Sequence, residues 1–144
     1  MHGQAWRCVV QRRACIADVA IAGESAGGNL ALNTGIAVRD QTLKSPAAML
    51  LVYPMAGSDM TTISYRDSAN AAPLSKAGMM WFVSHIFAKP EDARDPRIDL
   101  YKRADLRGLP PTIIINAATD PLRSDGDLLA AALRRAQVTT VHRL

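Results

Sequence analysis

A serine flanked by glycines is the residue of this sequence best placed to act as a nucleophile. Ser25 lies in Gly23-Glu24-Ser25-Ala26-Gly27, between an apolar run, Val19–Ala22, and a helix-compatible run, Asn29–Val38. A serine on a sharp turn between strand and helix, a nucleophile elbow, holds its hydroxyl clear of the backbone. Free N–H groups at the start of the helix can stabilise developing negative charge, and Ala26 N–H is the predicted oxyanion donor. The same spacing also arises by chance in loops rich in Gly and Ser.

The glycines of this motif predict tight packing around the serine. We expect a side chain at Gly23 or at Gly27 to collide with the neighbouring strand or helix. A serine hydroxyl is a weak nucleophile near neutral pH, so catalysis would also require a histidine base that is oriented by a carboxylate.

Asp120 is the candidate for that carboxylate. It follows the β-branched run Thr112–Ala118 and is therefore predicted at the carboxyl end of a strand, as Ser25 is. Ligands of open α/β sheets bind beyond these strand ends, so the two residues are expected on one edge of the sheet. The alternative is that Asp120 only stabilises the turn before a helix, Asp127–Gln137.

The elements that must position these residues alternate between strand and helix. Short, uninterrupted apolar runs predict strands buried on both faces, and the proline-free segments between them predict helices. The predicted strands are Val19–Ala22, Ala47–Tyr53, Thr112–Ala118 and Val138–Leu144, and the predicted helices are 4–13, Asn29–Arg39, Lys76–Ala88 with Ser75 as N-cap, and Asp127–Gln137. This order predicts a doubly wound α/β architecture with a mostly parallel sheet.

An insertion over residues 56–90 separates the second strand from the third. It contains a polar, irregular stretch followed by the helix Lys76–Ala88, whose apolar residues cover more than one face. Met79, Met80 and Phe82 could line a lid over an apolar substrate, because Met and Phe side chains adapt to flexible ligands. Packing in the core would give the same composition. Residues 90–109 form a charged connector.

Length and composition indicate a single globular domain. The chain has 144 residues, with 49% hydrophobic and 21% charged, and these near-average values favour neither a disordered nor a membrane protein. No apolar run approaches the ~20 residues of a spanning helix, and the first 15 residues make a poor signal peptide, so a cytoplasmic location is predicted.

Charge and cysteine patterns argue against several other classes. The net charge is +4, but the basic residues occur in isolated pairs without aromatic neighbours, which indicates solvated helix faces rather than nucleic-acid binding. Cys8 and Cys15 would lie about 10 Å apart on a helix, too far for a disulfide. Neither pairs with a histidine at zinc-ligand spacing, and no cofactor or metal is predicted.

Three segments together are similar to the hormone-sensitive-lipase group of α/β-hydrolases, also called the fold-3 esterases. They are GESAGGNLAL (Gly23–Leu32), LVYPM (Leu51–Met55) and ADLRGLPPTIIINAATDPLRSDGDLLAAAL (Ala104–Leu133). The resemblance implies carboxylic ester hydrolysis through an acyl-enzyme, with Ser25 as nucleophile, Asp120 as triad acid and Ala26 N–H in the oxyanion hole. It also implies that the insertion contributes to a cap over the acyl pocket and that a small-molecule ester is the substrate.

Two active-site features of that family are not found in this sequence. Only 22 residues precede Gly23, without an HGGG motif, since His2-Gly3 does not match it. The family's catalytic histidine follows the last strand, whereas His142 lies within it and His85 lies in the cap helix. The sequence thus predicts the C-terminal half of a hydrolase, a partial α/β-hydrolase fold with impaired activity. The alternatives are a non-catalytic small-molecule receptor and a degenerate hydrolase fragment.

The strand before Ser25 would lack a partner on one side in such a half. An unpaired edge on an apolar strand invites association. We therefore expect the chain to self-associate or to be marginally stable.

Overall fold

A parallel sheet forms the centre of the protein. The computed structural model describes residues 19–102 and 105–144, and the helix predicted over 4–13, with Cys8 and Cys15, lies outside these ranges. Within them, four strands pair in the order β1 (Ala20–Glu24), β2 (Ala48–Val52), β3 (Thr112–Ile115) and β4 (Thr140–Arg143), all parallel. The predicted parallel α/β fold is confirmed.

Helices occupy the connections between these strands. They are α1 (Ala26–Asp40), α2 (Ile63–Asp67), α3 (Lys76–Ile86) and α4 (Arg123–Arg135), and short 3₁₀ helices cover Pro90–Arg94 and Leu100–Lys102. The predicted N-cap of α3 is confirmed, because the Ser75 hydroxyl accepts a hydrogen bond from Gly78 N–H. The structure begins α4 four residues before the predicted Asp127. The polar side chains of Ser124 and Asp125 in its first turn do not compete for the local backbone, because they bond to N–H groups of residues 56–64.

The hydrophobic core lies on one face of the sheet. Leu32 and Ile36 of α1 and Leu129 and Leu133 of α4 pack together against inward side chains of β2 and β3, among them Met49, Leu51 and Ile114. Both helices cover the same face because successive right-handed crossovers that progress in one direction fall on one side of a sheet.

The prediction that the strands are buried on both faces is wrong, as the face opposite the hydrophobic core shows. Within the described residues, β1 and β3 are not buried on both faces, since exposed and covered residues alternate along them, with Ile113 and Ile115 on the open side. A continuous apolar run cannot distinguish a strand covered on two faces from one covered on a single face. Burial of the second face depends on which other elements of the protein pack against it.

The segment 56–90 carries α2 and α3 and has a small core of its own. Met55, Tyr65, Met79 and Leu122 form a second buried cluster, which joins this segment to the turn before α4. Most of α3 is exposed beyond that contact. No helix in the described part of the chain is both long and apolar enough to cross a membrane.

Candidate active site

Ser25 lies on a strained turn between β1 and α1, as the sequence predicts. Its backbone has φ 51° and ψ −122°, a conformation that non-glycine residues rarely adopt and that persists only when its surroundings enforce it. Those surroundings come from the β2 end: Ser25 N–H donates to Val52 O at 2.9 Å, and Ser25 O accepts from Met55 N–H at 3.0 Å. The hydroxyl does not cap α1. It therefore stays available to a substrate.

The glycines around Ser25 have different roles. A Cβ at Gly23 would overlap the backbone carbonyl of Gly27, so the predicted collision is confirmed there. At Gly27 the prediction is wrong, because a Cβ would meet no described atom within 4 Å. The second tight position is Gly28, where a Cβ would lie 2.8 Å from Pro54 Cβ. Close packing thus restricts Gly23, the first glycine of the motif, and Gly28, which follows the motif.

The first turn of α1 offers unpaired backbone donors beside Ser25. The N–H groups of Ala26 and Gly27 have no hydrogen-bond partner in the parts of the chain that the structure describes. Helix N-terminal N–H groups of this kind bind anions. The position of Ala26 therefore fits the predicted oxyanion role, which stays a prediction.

Asp120 lies in the turn between β3 and α4. Its Oδ1 accepts a hydrogen bond from Leu122 N–H at 2.7 Å, so Asp120 does stabilise this turn. Its Oδ2 has no partner among residues 19–102 and 105–144 and is free to orient a base. The turn role and the triad role are thus compatible, because they use different oxygens.

A tyrosine links the surroundings of Ser25 and Asp120. Tyr53 follows β2 with a φ of 33° and donates its hydroxyl to Glu24 Oε2 at 2.7 Å. The pKa of Tyr53 is raised by this hydrogen bond and the charge of Glu24, and to a smaller degree by the charge of Asp120. Glu24 ends β1, Tyr53 follows β2 and Asp120 follows β3, so the carboxyl ends of three strands meet here. No pattern in the sequence indicates this hydrogen bond between Glu24 and Tyr53.

The two described histidines are bound elsewhere. His142 Nε2 lies 3.0 Å from Asn116 Nδ2 and 3.3 Å from Asp127 Oδ1, beneath α4. His85 is exposed on α3, where its ring packs against Trp81 and Nδ1 lies 2.8 Å from Trp81 O. Neither has an interaction with Ser25 or Asp120.

Comparison with known proteins identifies the family. A family model described as the alpha/beta hydrolase fold matches residues 3–144. The chain belongs to this family. Among solved structures, an esterase from Pyrobaculum calidifontis superposes with a TM-score of 0.91 at 33% identity, covering 99% of this chain and 49% of that one.

Several curated relatives are named as ester hydrolases. Carboxylesterase NlhH of Mycobacterium tuberculosis is 34% identical over 125 residues, which are 84% of this chain and 39% of the relative. Carboxylic ester hydrolase LipN of the same organism is 34% identical over 123 residues, 82% of this chain and 33% of the relative. The chain thus spans between a third and two fifths of the length of these relatives.

A buried carboxylate behind the hydrolase elbow escaped the sequence analysis. Asp125 in the first turn of α4 is 1% exposed, and its Oδ2 accepts hydrogen bonds from Ala56 N–H at 3.0 Å and Gly57 N–H at 2.9 Å. Burial raises its pKa to about 7, although the two backbone donors act in the opposite direction. Asp125 thereby joins the helix after Asp120 to the loop whose Met55 N–H holds Ser25 O. An acid at a helix start is common, so its sequence context carried no sign of burial.

The three predicted substrate-binding residues of α3 differ in their surroundings. Met79 is 4% exposed and packs in the second apolar cluster, whereas Met80 is 55% and Phe82 49% exposed. Of these three residues, Met80 and Phe82 present open apolar surface. Their role in substrate binding, and that of Met79, stays a prediction.

Proposed function

We propose that this protein is a serine-dependent carboxylic ester hydrolase that acts through an acyl-enzyme. Ser25 would be the nucleophile, Asp120 the orienting carboxylate and Ala26 N–H an oxyanion donor. The observation that carries this proposal is the strained backbone of Ser25 at a strand-to-helix turn, with its hydroxyl uncapped. The names of the carboxylesterase relatives support it.

The proposed reaction begins when Ser25 Oγ attacks the acyl carbonyl of an ester. The carbonyl oxygen becomes negative beside the N–H groups of Ala26 and Gly27, which lower the energy of the tetrahedral intermediate. The proton of Ser25 must pass to a base, which then returns it to the leaving alcohol. Water hydrolyses the resulting acyl-serine by the same route in reverse.

The base is the component that we propose this 144-residue chain lacks. Both described histidines are engaged away from Ser25, and loss of the base from a triad lowers the rate by several orders of magnitude. The chain alone is therefore proposed to have impaired activity.

The first prediction is that added imidazole restores acylation of Ser25. We expect the chain to hydrolyse p-nitrophenyl acetate barely faster than buffer does, and imidazole to produce an acetylated protein that intact mass spectrometry detects. Peptide mapping should place the acetyl group on Ser25. The label should disappear in Ser25→Ala and persist in Ser84→Ala, which removes an exposed hydroxyl from α3.

Equal labelling of Ser25→Ala would reject Ser25 as the nucleophile. Rapid turnover without imidazole that Ser25→Ala abolishes would instead contradict the impairment and indicate a recruited histidine, which His142→Ala would test. Tight binding of a small ester or acid without its consumption would favour the receptor alternative.

A further inference from the structure

The turn that carries Asp120 is held by helix α2 of the segment 56–90. Ser64 lies in the first turn of α2, and its hydroxyl donates a hydrogen bond to Pro121 O at 2.5 Å. The same oxygen accepts a hydrogen bond from Ser124 N–H at 3.1 Å, and Ser64 N–H donates to Ser124 Oγ at 3.3 Å. One serine therefore binds both the residue directly after Asp120 and a residue in the first turn of α4.

Burial makes these hydrogen bonds the stronger polar link between α2 and the turn. Ser64 is 0% and Ser124 7% exposed, so removal of either side chain leaves a polar group that water reaches poorly. A second link is the ion pair between Asp67 and Arg123, at 3.1 Å. The Asp67 side chain is 53% exposed, and ion pairs at such sites contribute little.

The conformation of this turn sets the orientation of the Asp120 carboxylate. Asp120 Oδ1 accepts a hydrogen bond from Leu122 N–H at 2.7 Å. Leu122 is buried in the second apolar cluster, which also contains Tyr65 of α2. Because α2 holds Leu122 and the residues on both sides of it, α2 also fixes which carboxylate oxygen bonds to the turn and which one stays available.

We propose that Ser64 is a positioning residue for Asp120. It holds the turn in the conformation that directs Oδ1 to Leu122 N–H and leaves Oδ2 available to orient a base. This inference rests on the proposed ester hydrolysis, in which Asp120 is the orienting carboxylate. Displacement of a catalytic group by about 1 Å can lower a rate about a hundredfold, so a buried support of the turn affects the reaction without touching the substrate.

Amide hydrogen exchange in the full 144-residue chain tests whether Ser64 holds the turn. The reporter is Leu122 N–H, which NMR of the isotope-labelled protein follows individually. Ser64→Ala should raise its exchange rate at least about tenfold relative to the amides of β3, which report global unfolding. Ser68→Ala is the matched control, because Ser68 is 5% exposed just after α2 and its hydroxyl has no hydrogen-bond partner among the described residues. It should leave the exchange ratio unchanged.

Imidazole-dependent acetylation of Ser25 tests whether the effect reaches the proposed reaction. Ser64→Ala should lower the acetylation rate at least about tenfold after correction for the folded fraction, whereas Ser68→Ala should stay within about twofold of wild type. In an Asp120→Ala background, Ser64→Ala should have no further effect, because it acts through Asp120. A serine with a merely structural role would lower the rate in both backgrounds.

Ser124→Ala keeps the test decisive if Ser64→Ala does not fold. It removes the oxygen that accepts from Ser64 N–H and leaves the Ser64 hydroxyl bonded to Pro121 O. We expect exchange of Leu122 N–H to become about threefold faster and acetylation to slow by a similar factor, as for the loss of one weak hydrogen bond. Circular dichroism establishes the folding of each variant.

An unchanged exchange ratio at Leu122 in Ser64→Ala, or in Ser124→Ala where the first variant does not fold, would overturn the proposal. An equal loss of rate with and without Asp120 would also overturn it. Normal acetylation of Ser64→Ala would reject the positioning role and leave the proposed function intact. Wild type that takes up no label with imidazole would reject the proposed function, and the catalytic role of Ser64 with it, while the exchange ratio would still show whether Ser64 holds the turn.

Discussion

Gly23→Ala is expected to destroy the native elbow, whereas Gly27→Ala should be tolerated. The new methyl group at Gly23 would overlap the backbone carbonyl of Gly27, and neither strand β1 nor helix α1 can shift without breaking the turn. We expect a loss of more than about 3 kcal/mol in the free energy of unfolding, a large part of the total stability of a small domain. At Gly27 the methyl group has free space and lies within a helix. Alanine there should be neutral or stabilise by up to about 1 kcal/mol.

Urea unfolding followed by circular dichroism measures both effects. The pair is informative because the two substitutions add the same methyl group within one motif, four residues apart. A stable Gly23→Ala variant would mean that β1 and α1 approach each other less closely than the structure shows. An equally damaged Gly27→Ala variant would mean that something outside the described residues occupies the space at Gly27.

Removal of the Asp125 carboxylate is expected to have a comparable effect. In Asp125→Ala the N–H groups of Ala56 and Gly57 would remain buried without an acceptor, and each unpaired buried group costs about 1–3 kcal/mol. We expect the free energy of unfolding to fall by about 3 kcal/mol or more. Asp125→Asn keeps one oxygen to accept both hydrogen bonds and should retain most of the stability.

The pH dependence of stability distinguishes the charge of Asp125 from its hydrogen bonds. Folding raises its pKa from 3.8 to about 7, so the folded state holds the proton more tightly than the unfolded state does. Its stabilising contribution is fully present below about pH 4 and is lost as the pH rises through about 7. Asp125→Asn does not titrate, so the variant should gain relative to wild type between pH 5 and 8. The gain should be on the order of 2 kcal/mol.

Urea titrations at several pH values measure this difference. Glu91→Gln, which neutralises an exposed carboxylate in the Pro90–Arg94 turn, should show no such gain. If wild type and Asp125→Asn keep a constant difference across this range, the carboxyl group is already ionised at pH 5. In that case the two backbone hydrogen bonds lower the pKa of Asp125 more than its burial raises it.

Much of the fold follows from local sequence. The apolar runs around Ile21, Leu50 and Ile114 identify strands, and the Ser75 cap fixes the start of α3, because both signals depend only on neighbouring residues. The strained turn at Ser25 is likewise local, since two glycines and a strand-to-helix change within a few residues leave few other conformations. The place of Asp120 in the turn after β3 was predictable because it closely follows such a run.

Other features depend on residues distant in the chain, and only the tertiary structure decided them. The requirement for glycine at position 23 depends on the Gly27 carbonyl that lies opposite, and the requirement at position 28 depends on Pro54. The burial of Asp125 depends on a loop 68 residues away, and the Glu24–Tyr53 hydrogen bond joins residues 29 apart. The amino-acid sequence by itself determined the elements and the strained turn at Ser25, because those are set by short-range periodicity and sterics. The tertiary structure decided which face of the sheet α1 and α4 cover and what holds the elbow, because both result from the order in which the strands assemble.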